Sequence, residues 1–281
     1  MRTHVRRLRS RRLDRRLARD GFVVVRAIQP ESVRRALDVY EANPSGVEEG
    51  YYASIHSSSR TYKEQVDLGL RPILWPPLDD LLVDHRCLVA AMMVKPPRGN
   101  TEVPVHQDWN VIDEVDGAGL TCWMPLTPVT ELEGLMRVVP GSHRLPTGLR
   151  GSPGFPSPYT PLADQLQEEC MVDVEVGVGD VMIMDGRVLH TTGPNRSGRH
   201  RIAAYLNVIP AQAQPLHYYM SPDGQVEKFE VELPFFTSFQ IGDRPDGKLV
   251  EVIDRYEPPT VTIEDVRGSN RRRSGLTPSL H

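Results

Sequence analysis

The sequence predicts a mainly β fold, arranged as one β-rich domain with helices at its N-terminal end. From about residue 84 onward, strand-length apolar runs alternate with turns that contain Gly or Pro, which is typical of a sandwich or a barrel. Before that point, apolar residues recur mainly at helical spacing. No internal repeat is visible in the 281 residues, so a single domain over residues 1–281 is the simplest arrangement.

The N-terminal segments predict two helices separated by a short strand. Residues 1–19 carry nine arginines, with Leu13 and Leu17 at helical spacing, and predict a basic helix on the solvated surface; a nucleic-acid arm or a transit peptide is the functional alternative. The β-branched run GFVVVRAI predicts a strand. Pro30 then opens PESVRRALDVYEA, a second helical pattern, and the polar segment 42–62 is predicted to be a loop.

The β core is predicted over about residues 84–212. LDDLLVDHRCLVAAMMVKPP indicates a helix running into a strand that stops at two prolines. Further strand-like runs are GLTCWMPLTPV, LMRVVPGSH, MVDVEVGVGDVMIMDG and HRIAAYLNVIP, interrupted by the loop GSPGFPSPYTPLADQ, which is either a functional lid or disordered. HYYMS, KFEVELPFF and KLVEVIDRY are also strand-like, and the polar tail 266–281 is predicted to be disordered.

Charge is unevenly distributed along the chain. The 33 basic and 37 acidic residues give a net charge of −4, but thirteen arginines lie in residues 1–19 and 266–281. Residues 20–265 keep 20 basic and 36 acidic side chains, a net charge of −16. This acidic body disfavours a nucleic-acid partner and favours a neutral or cationic ligand.

The sequence predicts a cytoplasmic protein without a membrane span. No run of eighteen apolar residues is present, and no apolar core of signal-peptide length follows the basic N-terminus. Cys87, Cys122 and Cys170 are widely spaced and odd in number, which indicates a reducing compartment and neither a disulfide framework nor a zinc motif. The oligomeric state is left open.

A candidate metal site begins in VPVHQDWNVIDEVDG, where His106 and Asp108 flank one residue. On a strand, residues i and i+2 point the same way, so both side chains could bind one metal ion. His190 follows a strand and a turn in GDVMIMDGRVLHTTGPN. Two histidines and one carboxylate form the facial triad of non-haem Fe(II) oxygenases. Arg201, which opens an apolar strand, offers a charged, bidentate partner for a carboxylate cosubstrate.

Five segments resemble, in the same order, the phytanoyl-CoA dioxygenase family of Fe(II)/2-oxoglutarate-dependent oxygenases. They are DGFVVVRAIQPESV, MMVKPP, HQD, LTCWMPLTPVTELEGLMRVVPGSH and GDVMIMDGRVLHTTGPNRSGRHR, between residue 20 and about residue 210. The HQD motif, the PGSH motif and the later segment that contains His190 and Arg201 are specific for this family when they occur together. The resemblance implies a double-stranded β-helix, a jelly-roll or cupin-like barrel with iron at its mouth and the N-terminal helices packed outside.

The resemblance also implies roles for individual residues. His106, Asp108 and His190 are the expected iron ligands and catalytic centre. Arg201 is expected to bind the distal carboxylate of 2-oxoglutarate, with Thr192 as a hydroxyl contact. The presence of Asp108 favours oxygenation, because halogenating relatives have Gly or Ala at that position.

Further cosubstrate and substrate positions follow from the same resemblance and from the neighbouring residues. Gln107, Trp123 and Lys95 match cosubstrate-binding positions, although Trp123 also suits a core residue. Trp109 is a candidate substrate contact. Asp113 and Glu114 are candidates too, the alternative being an acidic solvated loop. The remaining histidines, including those at positions 56, 143, 200 and 217, are interpreted as structural.

The resemblance implies oxidative decarboxylation of 2-oxoglutarate with dioxygen, coupled to hydroxylation or another oxidation of a small-molecule metabolite. A tailoring step in natural-product biosynthesis is favoured. An acyl-CoA hydroxylase of the phytanoyl-CoA type is disfavoured, because CoA phosphates need cationic partners and the body is acidic. A non-catalytic jelly-roll binding protein would be expected to lack part of the triad or the arginine. The substrate and the position oxidised are left open.

Overall fold

The computed structural model describes residues 5–274 except 99, 116 and 153, and the side chains up to residue 269. Its helices are α1 (Arg11–Asp20), α2 (Pro30–Ala42), α3 (Arg60–Asp79), α4 (Ala163–Gln165), α5 (Phe235–Ser238) and α6 (Ile263–Ser274). Its strands are β1 (Phe22–Arg26), β2 (Tyr52–Ala53), β3 (His85–Lys95), β4 (Val103–His106), β5 (Leu120–Pro125), β6 (Met136–Val138), β7 (Val172–Val174), β8 (Asp180–Asp185), β9 (His190–Thr192), β10 (Arg201–Pro210), β11 (Leu216–Met220), β12 (Val226–Glu230) and β13 (Lys248–Ile253). In the described part of the chain, no helix combines the length and apolarity that a membrane crossing requires.

Two antiparallel sheets face each other across a cavity that both of them line. The larger sheet has the order β1-β8-β5-β10-β3-β2, and the smaller has the order β4-β9-β6-β7. A third sheet, β11-β12-β13, follows in the chain. This is the predicted jelly roll with N-terminal helices outside. The larger sheet extends beyond the predicted core of residues 84–212, because β1 and β2 form its two edges.

Strand β10 shows how side-chain alternation separates the core from the cavity. Its even-numbered side chains from Ile202 to Val208 pack in the apolar cluster that includes residues of α2 and α3. Its odd-numbered residues from Arg201 to Asn207 face the opposite side, towards the smaller sheet. Successive residues of a strand point to opposite faces, so one strand supplies both the core and the cavity wall.

Helix α3 is a feature that the sequence analysis did not foresee. We expected a loop up to residue 62 and a helix beginning near Leu78, whereas the helix spans Arg60–Asp79 and ends there. Prolines at positions 72, 76 and 77 obscured it, since a proline removes a helical hydrogen bond. A buried stripe at four-residue spacing packs the helix against the outside of the larger sheet: Val66, Leu70, Leu74 and Leu78. Tertiary packing of this face outweighs the unfavourable local propensity.

The basic N-terminal segment packs against the protein more closely than the expected solvated helix. Helix α1 begins after Ser10, whose side chain accepts a hydrogen bond from the backbone N–H of Leu13, and it ends at Gly21. Its arginines at 11, 12, 15 and 16 are exposed, as predicted. Leu8 and Leu17 are nonetheless fully buried in the core cluster beneath the helices.

The carboxylate of Asp185 joins this N-terminal arm to the turn that precedes β9. Asp185 is completely buried. Its Oδ2 accepts hydrogen bonds from Arg7 Nη1 and Arg187 Nη2, both at 2.8 Å, and its Oδ1 accepts one from Arg187 Nε at 2.9 Å. Burial by itself would raise the pKa of Asp185, but the hydrogen bonds and charges of Arg187 and Arg7 lower it, so the carboxylate is ionised.

The predicted disorder of residues 266–281 is wrong for residues 266–274, which belong to α6. The side chain of Asp265 accepts hydrogen bonds from the backbone N–H and the hydroxyl of Thr262, which satisfies groups at the start of this helix. Ile263 and Val266 are buried with Leu166 in a separate apolar cluster. Residues 275–281 lie outside the described residues. The composition of the tail concealed the two apolar side chains that anchor it.

Replacing Asp185 with Asn should destabilise the fold by about 2–3 kcal/mol, because two partly buried arginines lose their charged acceptor. The free energy of unfolding in urea measures this change. Asp173→Asn is the matched control, because the Arg137–Asp173 ion pair is largely exposed and should contribute less than about 1 kcal/mol. Equal effects of the two substitutions would contradict the anchoring role of Asp185.

Candidate metal centre and adjoining cavity

Three side chains at the smaller sheet converge on one point: His106, Asp108 and His190. A ligand atom from each lies within 4.8 Å of those of the other two. The Nε2 atoms of His106 and His190 are 4.0 Å and 3.8 Å from Asp108 Oδ1. The histidines meet because β4 and β9 pair directly at these two residues. The structure thus brings together the three residues that the sequence indicated as ligands.

Backbone carbonyls orient both imidazole rings. His106 Nδ1 lies 2.8 Å from the carbonyl oxygen of Pro104, and His190 Nδ1 lies 2.9 Å from that of Val188. A carbonyl oxygen only accepts, so Nδ1 carries the proton in each ring and the Nε2 lone pair is free. Burial and the neighbouring His190 lower the pKa of His106 to about 4, which keeps this ring neutral at pH 7. Both rings therefore have the tautomer that a metal ligand needs.

Asp108 is positioned by a loop and not by the strand that the sequence analysis assumed. Strand β4 ends at His106, two residues earlier. The backbone N–H of Asp108 donates to the carbonyl of Gly186 at 2.8 Å, and the hydroxyl of Thr121 donates to Asp108 Oδ2 at 2.5 Å. With Oδ2 engaged in this way, Oδ1 is the oxygen that faces the two histidines.

Arg150 supports the same loop through hydrogen bonds to Asp108 and Asn110. Its Nε donates to the carbonyl of Asp108 at 2.5 Å, and its backbone N–H donates to the side chain of Asn110 at 2.7 Å. The guanidinium also donates to Glu114 Oε1 at 2.6 Å. Arg150 is buried, so these bonds are shielded from water and hold the chain on either side of Trp109.

The two acidic substrate candidates do not line the cavity around the triad. Burial raises the pKa of Glu114, although its ion pair with Arg150 acts in the opposite direction. Asp113 points outward, and its Oδ2 accepts a hydrogen bond from Lys228 Nζ at 3.2 Å. Asp113 and Glu114 therefore fit neither expectation, a substrate contact or a freely solvated acidic loop, because both carboxylates are paired with cations.

Arg201 opens β10, as predicted, and its guanidinium is buried in the cavity wall. Its Nη1 donates to the carbonyl of Gly134 at 2.8 Å, and its Cζ lies 5.1 Å from the ring centroid of Trp123. Gly134 has a φ of +83°, and a Cβ there would lie 2.1 Å from the carbonyl oxygen of Gly193, so this position requires glycine. Burial lowers the pKa of Arg201 to about 10, which leaves the guanidinium charged at pH 7.

Lys95 holds Thr192 in place beside Arg201. Lys95 is the direct cross-strand partner of Arg201. Its Nζ donates to Thr192 Oγ1 and to the carbonyl of Gly193, both at 2.6 Å. Thr192 lines the cavity, whereas Lys95 does not, so the lysine expected in the pocket lies behind it. Burial and the charge of Arg201 lower the pKa of Lys95.

The other predicted residues, Gln107, Trp123 and Trp109, all line the cavity. The side-chain amide of Gln107 donates to the carbonyl of Arg187 at 2.5 Å, which ties the HxD loop to the turn before β9. Trp123 is buried, and its indole N–H has no hydrogen-bond acceptor among the described residues. A donor of this kind is available to a ligand.

The cavity has a volume of about 270 Å³ and includes several residues that sequence reasoning missed. They come from three separate parts of the chain: Tyr51, His56, Tyr205, Asn207, Phe236 and Phe239. His56 was interpreted as structural. The alternation of β10 could have indicated Tyr205 and Asn207, because they share a strand face with Arg201, but the others carry no local signal.

An aromatic cluster closes one side of the cavity, and we call it the aromatic cover: Trp109, His217, Phe235, Phe236 and Phe239. The ring centroid of Trp109 lies 5.6 Å from that of His217 and 5.8 Å from that of Phe239. Phe235 and Phe239 stack at 5.0 Å. Burial lowers the pKa of His217 to about 4, so this ring joins the cluster as a neutral aromatic group. Helix α5 and the residue that follows it thus bring a distant segment of the chain to the cavity wall.

A comparison with protein families identifies the chain. The sequence model described as phytanoyl-CoA dioxygenase matches residues 17–203, which is more than half of the chain. The chain belongs to the phytanoyl-CoA dioxygenase family. It is therefore an Fe(II)/2-oxoglutarate-dependent oxygenase, as the sequence predicted. No curated protein matches the chain.

Solved structures share the jelly-roll fold of this family member. The carbocyclase SnoK from nogalamycin biosynthesis is 21% identical, with a TM-score of 0.55 over 87% of this chain and 96% of SnoK. The epimerase SnoN, solved with Fe³⁺, alpha ketoglutarate and nogalamycin RO, is 21% identical, with a TM-score of 0.52 over 73% of this chain and 84% of SnoN. The non-haem monooxygenase ThoJ, a nickel complex, is 18% identical, with a TM-score of 0.52 over 94% of this chain and 97% of ThoJ.

Replacing Thr121 with Val should weaken metal binding by about tenfold or more, because Asp108 loses the hydrogen bond that orients it. Anaerobic calorimetric titration with Fe(II) measures the dissociation constant. Thr61→Val provides a matched control, since Thr61 is exposed on α3 and lies outside the cavity lining. An unchanged affinity in the Thr121 variant would show that the hydroxyl does not support a metal ligand.

Proposed function

We propose that His106, Asp108 and His190 bind Fe(II), that Arg201 anchors 2-oxoglutarate beside it, and that the enzyme oxidises a small metabolite in natural-product biosynthesis. The observation that carries the proposal is that the triad and the buried arginine line one cavity. The chemistry of these groups supports it. Neutral imidazole and carboxylate suit Fe(II), and a planar guanidinium suits a carboxylate.

The residues of the triad fit an iron ion for reasons beyond their identity. Each histidine already has its Nδ1 bonded to a backbone carbonyl, so no rearrangement is needed to present Nε2. The Thr121 hydroxyl occupies one oxygen of Asp108 and leaves the other for the metal. Such outer hydrogen bonds fix the direction of ligands and raise their basicity.

The residues near Arg201 fit 2-oxoglutarate. Among the described residues, no carboxylate pairs with the Arg201 guanidinium, which donates a hydrogen bond to the backbone carbonyl of Gly134. A buried cation of this kind is costly unless a ligand supplies the counter-charge. The Thr192 hydroxyl and the indole N–H of Trp123 line the same cavity and offer further polar contacts.

When bound, iron and 2-oxoglutarate supply the oxidising chemistry with dioxygen. The protein holds the cosubstrate carboxylate with Arg201, whose guanidinium stays charged at pH 7, and burial keeps His106 neutral by lowering its pKa. The aromatic cover limits access of water from one side and leaves an apolar surface for the substrate. These residues therefore bind, orient and shield the reactants, which is the contribution expected from the protein in a cofactor enzyme.

A natural-product tailoring role is supported by two independent features. SnoK and SnoN, which share the fold, act in nogalamycin biosynthesis. The cavity also lacks cationic side chains that could bind CoA phosphates. Among the described residues that line it, Arg201 is the only lysine or arginine, and it is assigned to the cosubstrate. An acyl-CoA substrate would have to place its phosphates outside this cavity.

The first experiment measures succinate formed from 2-oxoglutarate after anaerobic loading with Fe(II) and exposure to air. Wild-type protein should form succinate slowly even without substrate, Asp108→Ala should form none, and Arg201→Ala should be at least about tenfold slower. Arg196→Ala is the matched control, because Arg196 is exposed and should leave the rate unchanged.

The outcome separates the enzyme from a non-catalytic jelly-roll protein. Failure of wild-type protein to bind Fe(II) or 2-oxoglutarate would replace the oxygenase proposal with a binding role. Loss of succinate in both site variants, with activity kept in the Arg196 variant, would support the assigned residues and turn the assay into a substrate screen.

A further inference from the structure

Asn207 lies in the cavity wall with an unused hydrogen-bond acceptor. Its Oδ1 is buried and receives no hydrogen bond from any described protein group. The directly opposed residues on the neighbouring strands, Val89 and Thr121, also line the cavity. The side chain of Val89 has no polar atom, and the hydroxyl of Thr121 already donates its hydrogen bond to Asp108. The protein around Asn207 therefore leaves this acceptor to a ligand.

The cosubstrate site does not extend to Asn207. Arg201 and Asn207 lie six residues apart on the extended strand β10, which corresponds to about 20 Å. The five-carbon chain of 2-oxoglutarate cannot span that distance while its distal carboxylate remains on Arg201. Asn207 is therefore positioned for the substrate and not for the cosubstrate.

The side chains around Asn207 are mainly apolar, and the nearby charge of Asp108 is hydrogen-bonded to Thr121. Val89, Val111 and Phe236 form part of one apolar cluster and line the cavity. Among the described residues that line the cavity, Asp108 and Arg201 are the ones with a permanent charge at pH 7, and both have assigned roles. A charged substrate would lose its hydration there without finding a counter-charge.

We propose that Asn207 selects the substrate, an uncharged and mainly apolar molecule whose hydroxyl or N–H group donates a hydrogen bond to Asn207 Oδ1. This inference rests on the proposed function for the identity of the cavity as an active site. A site built around a buried acceptor rejects an analogue that lacks the donor, because the acceptor is then left unpaired. Asn207 thus distinguishes hydroxylated compounds from hydrocarbons of the same shape.

The test uses two probes of similar shape, 2-naphthol and 2-methylnaphthalene, and protein loaded with Ni(II) and 2-oxoglutarate so that no turnover occurs. Calorimetry gives the dissociation constant of each probe. The dissociation constant of 2-methylnaphthalene divided by that of 2-naphthol measures the preference for a ligand with a hydrogen-bond donor, which we call donor selection. Asn207→Leu should lower this ratio by about tenfold, since it removes the acceptor at similar size. Asn207→Asp should keep the ratio within about threefold of wild type, because it retains an acceptor oxygen.

Controls separate loss of selection from loss of fold. Asn100→Leu changes an exposed asparagine outside the cavity lining and should leave the ratio unchanged. Affinity for 2-oxoglutarate should be unchanged in the Asn207 variants, and Asn207→Ala carries the same expectation as Asn207→Leu if the latter does not fold.

A ratio in Asn207→Leu or Asn207→Ala within twofold of wild type would overturn the proposal. Failure of wild-type protein to bind 2-naphthol up to its solubility limit would also overturn it. The proposed function fails separately, through absence of succinate formation by the iron-loaded enzyme. Donor selection without succinate would therefore uphold the role of Asn207 while rejecting the oxygenase assignment of this site.

Discussion

The register of β10 in the larger sheet is the constraint on which both the core and the active cavity depend. The strand pairs with β3 on one side and β5 on the other, placing Arg201 opposite Lys95 and Tyr205 opposite Trp123. A shift by one residue would turn Arg201 into the apolar core beneath the helices and expose Ile202 to the cavity. Since every even-numbered residue from 202 to 208 packs in that core, such a shift is strongly disfavoured. Packing of the helices thus fixes the position of Arg201 in the cavity wall.

The metal ligands depend on a different kind of support, because none of them lies in the middle of a long strand. His106 ends β4, Asp108 follows in a loop, and His190 begins β9. Backbone carbonyls hold the rings, and Arg150 holds the carbonyl of Asp108 itself. The course of the chain therefore orients the two rings, whereas the side chain of Thr121 orients the carboxylate of Asp108. Asp185 extends this support to the N-terminal arm through Arg7.

Sequence patterns were sufficient where the determining interactions are local. Alternating apolar runs indicated the β fold, and the HQD motif with the later histidine and arginine indicated the site. They were insufficient where distant contacts decide the outcome. Helix α3 forms despite three prolines because its apolar stripe is buried, and Glu114 is paired with an arginine 36 positions away. His56 and Phe239 reach the cavity through tertiary packing alone, which no spacing in the chain reveals.

Part of the cavity wall comes from outside the stretch that matches the family. The family match ends at residue 203, whereas Asn207, Phe236 and Phe239 follow it in the chain. Phe236 lies in helix α5 and Phe239 directly follows it, and the carbonyl of Phe239 accepts a hydrogen bond from Lys63 of α3. Substitutions in the C-terminal segment can therefore change this wall while leaving His106, Asp108, His190 and Arg201 intact. The triad and one wall of the cavity thus lie in separate lengths of one polypeptide, so exchanging the segment after β10 would change that wall on an otherwise unaltered scaffold.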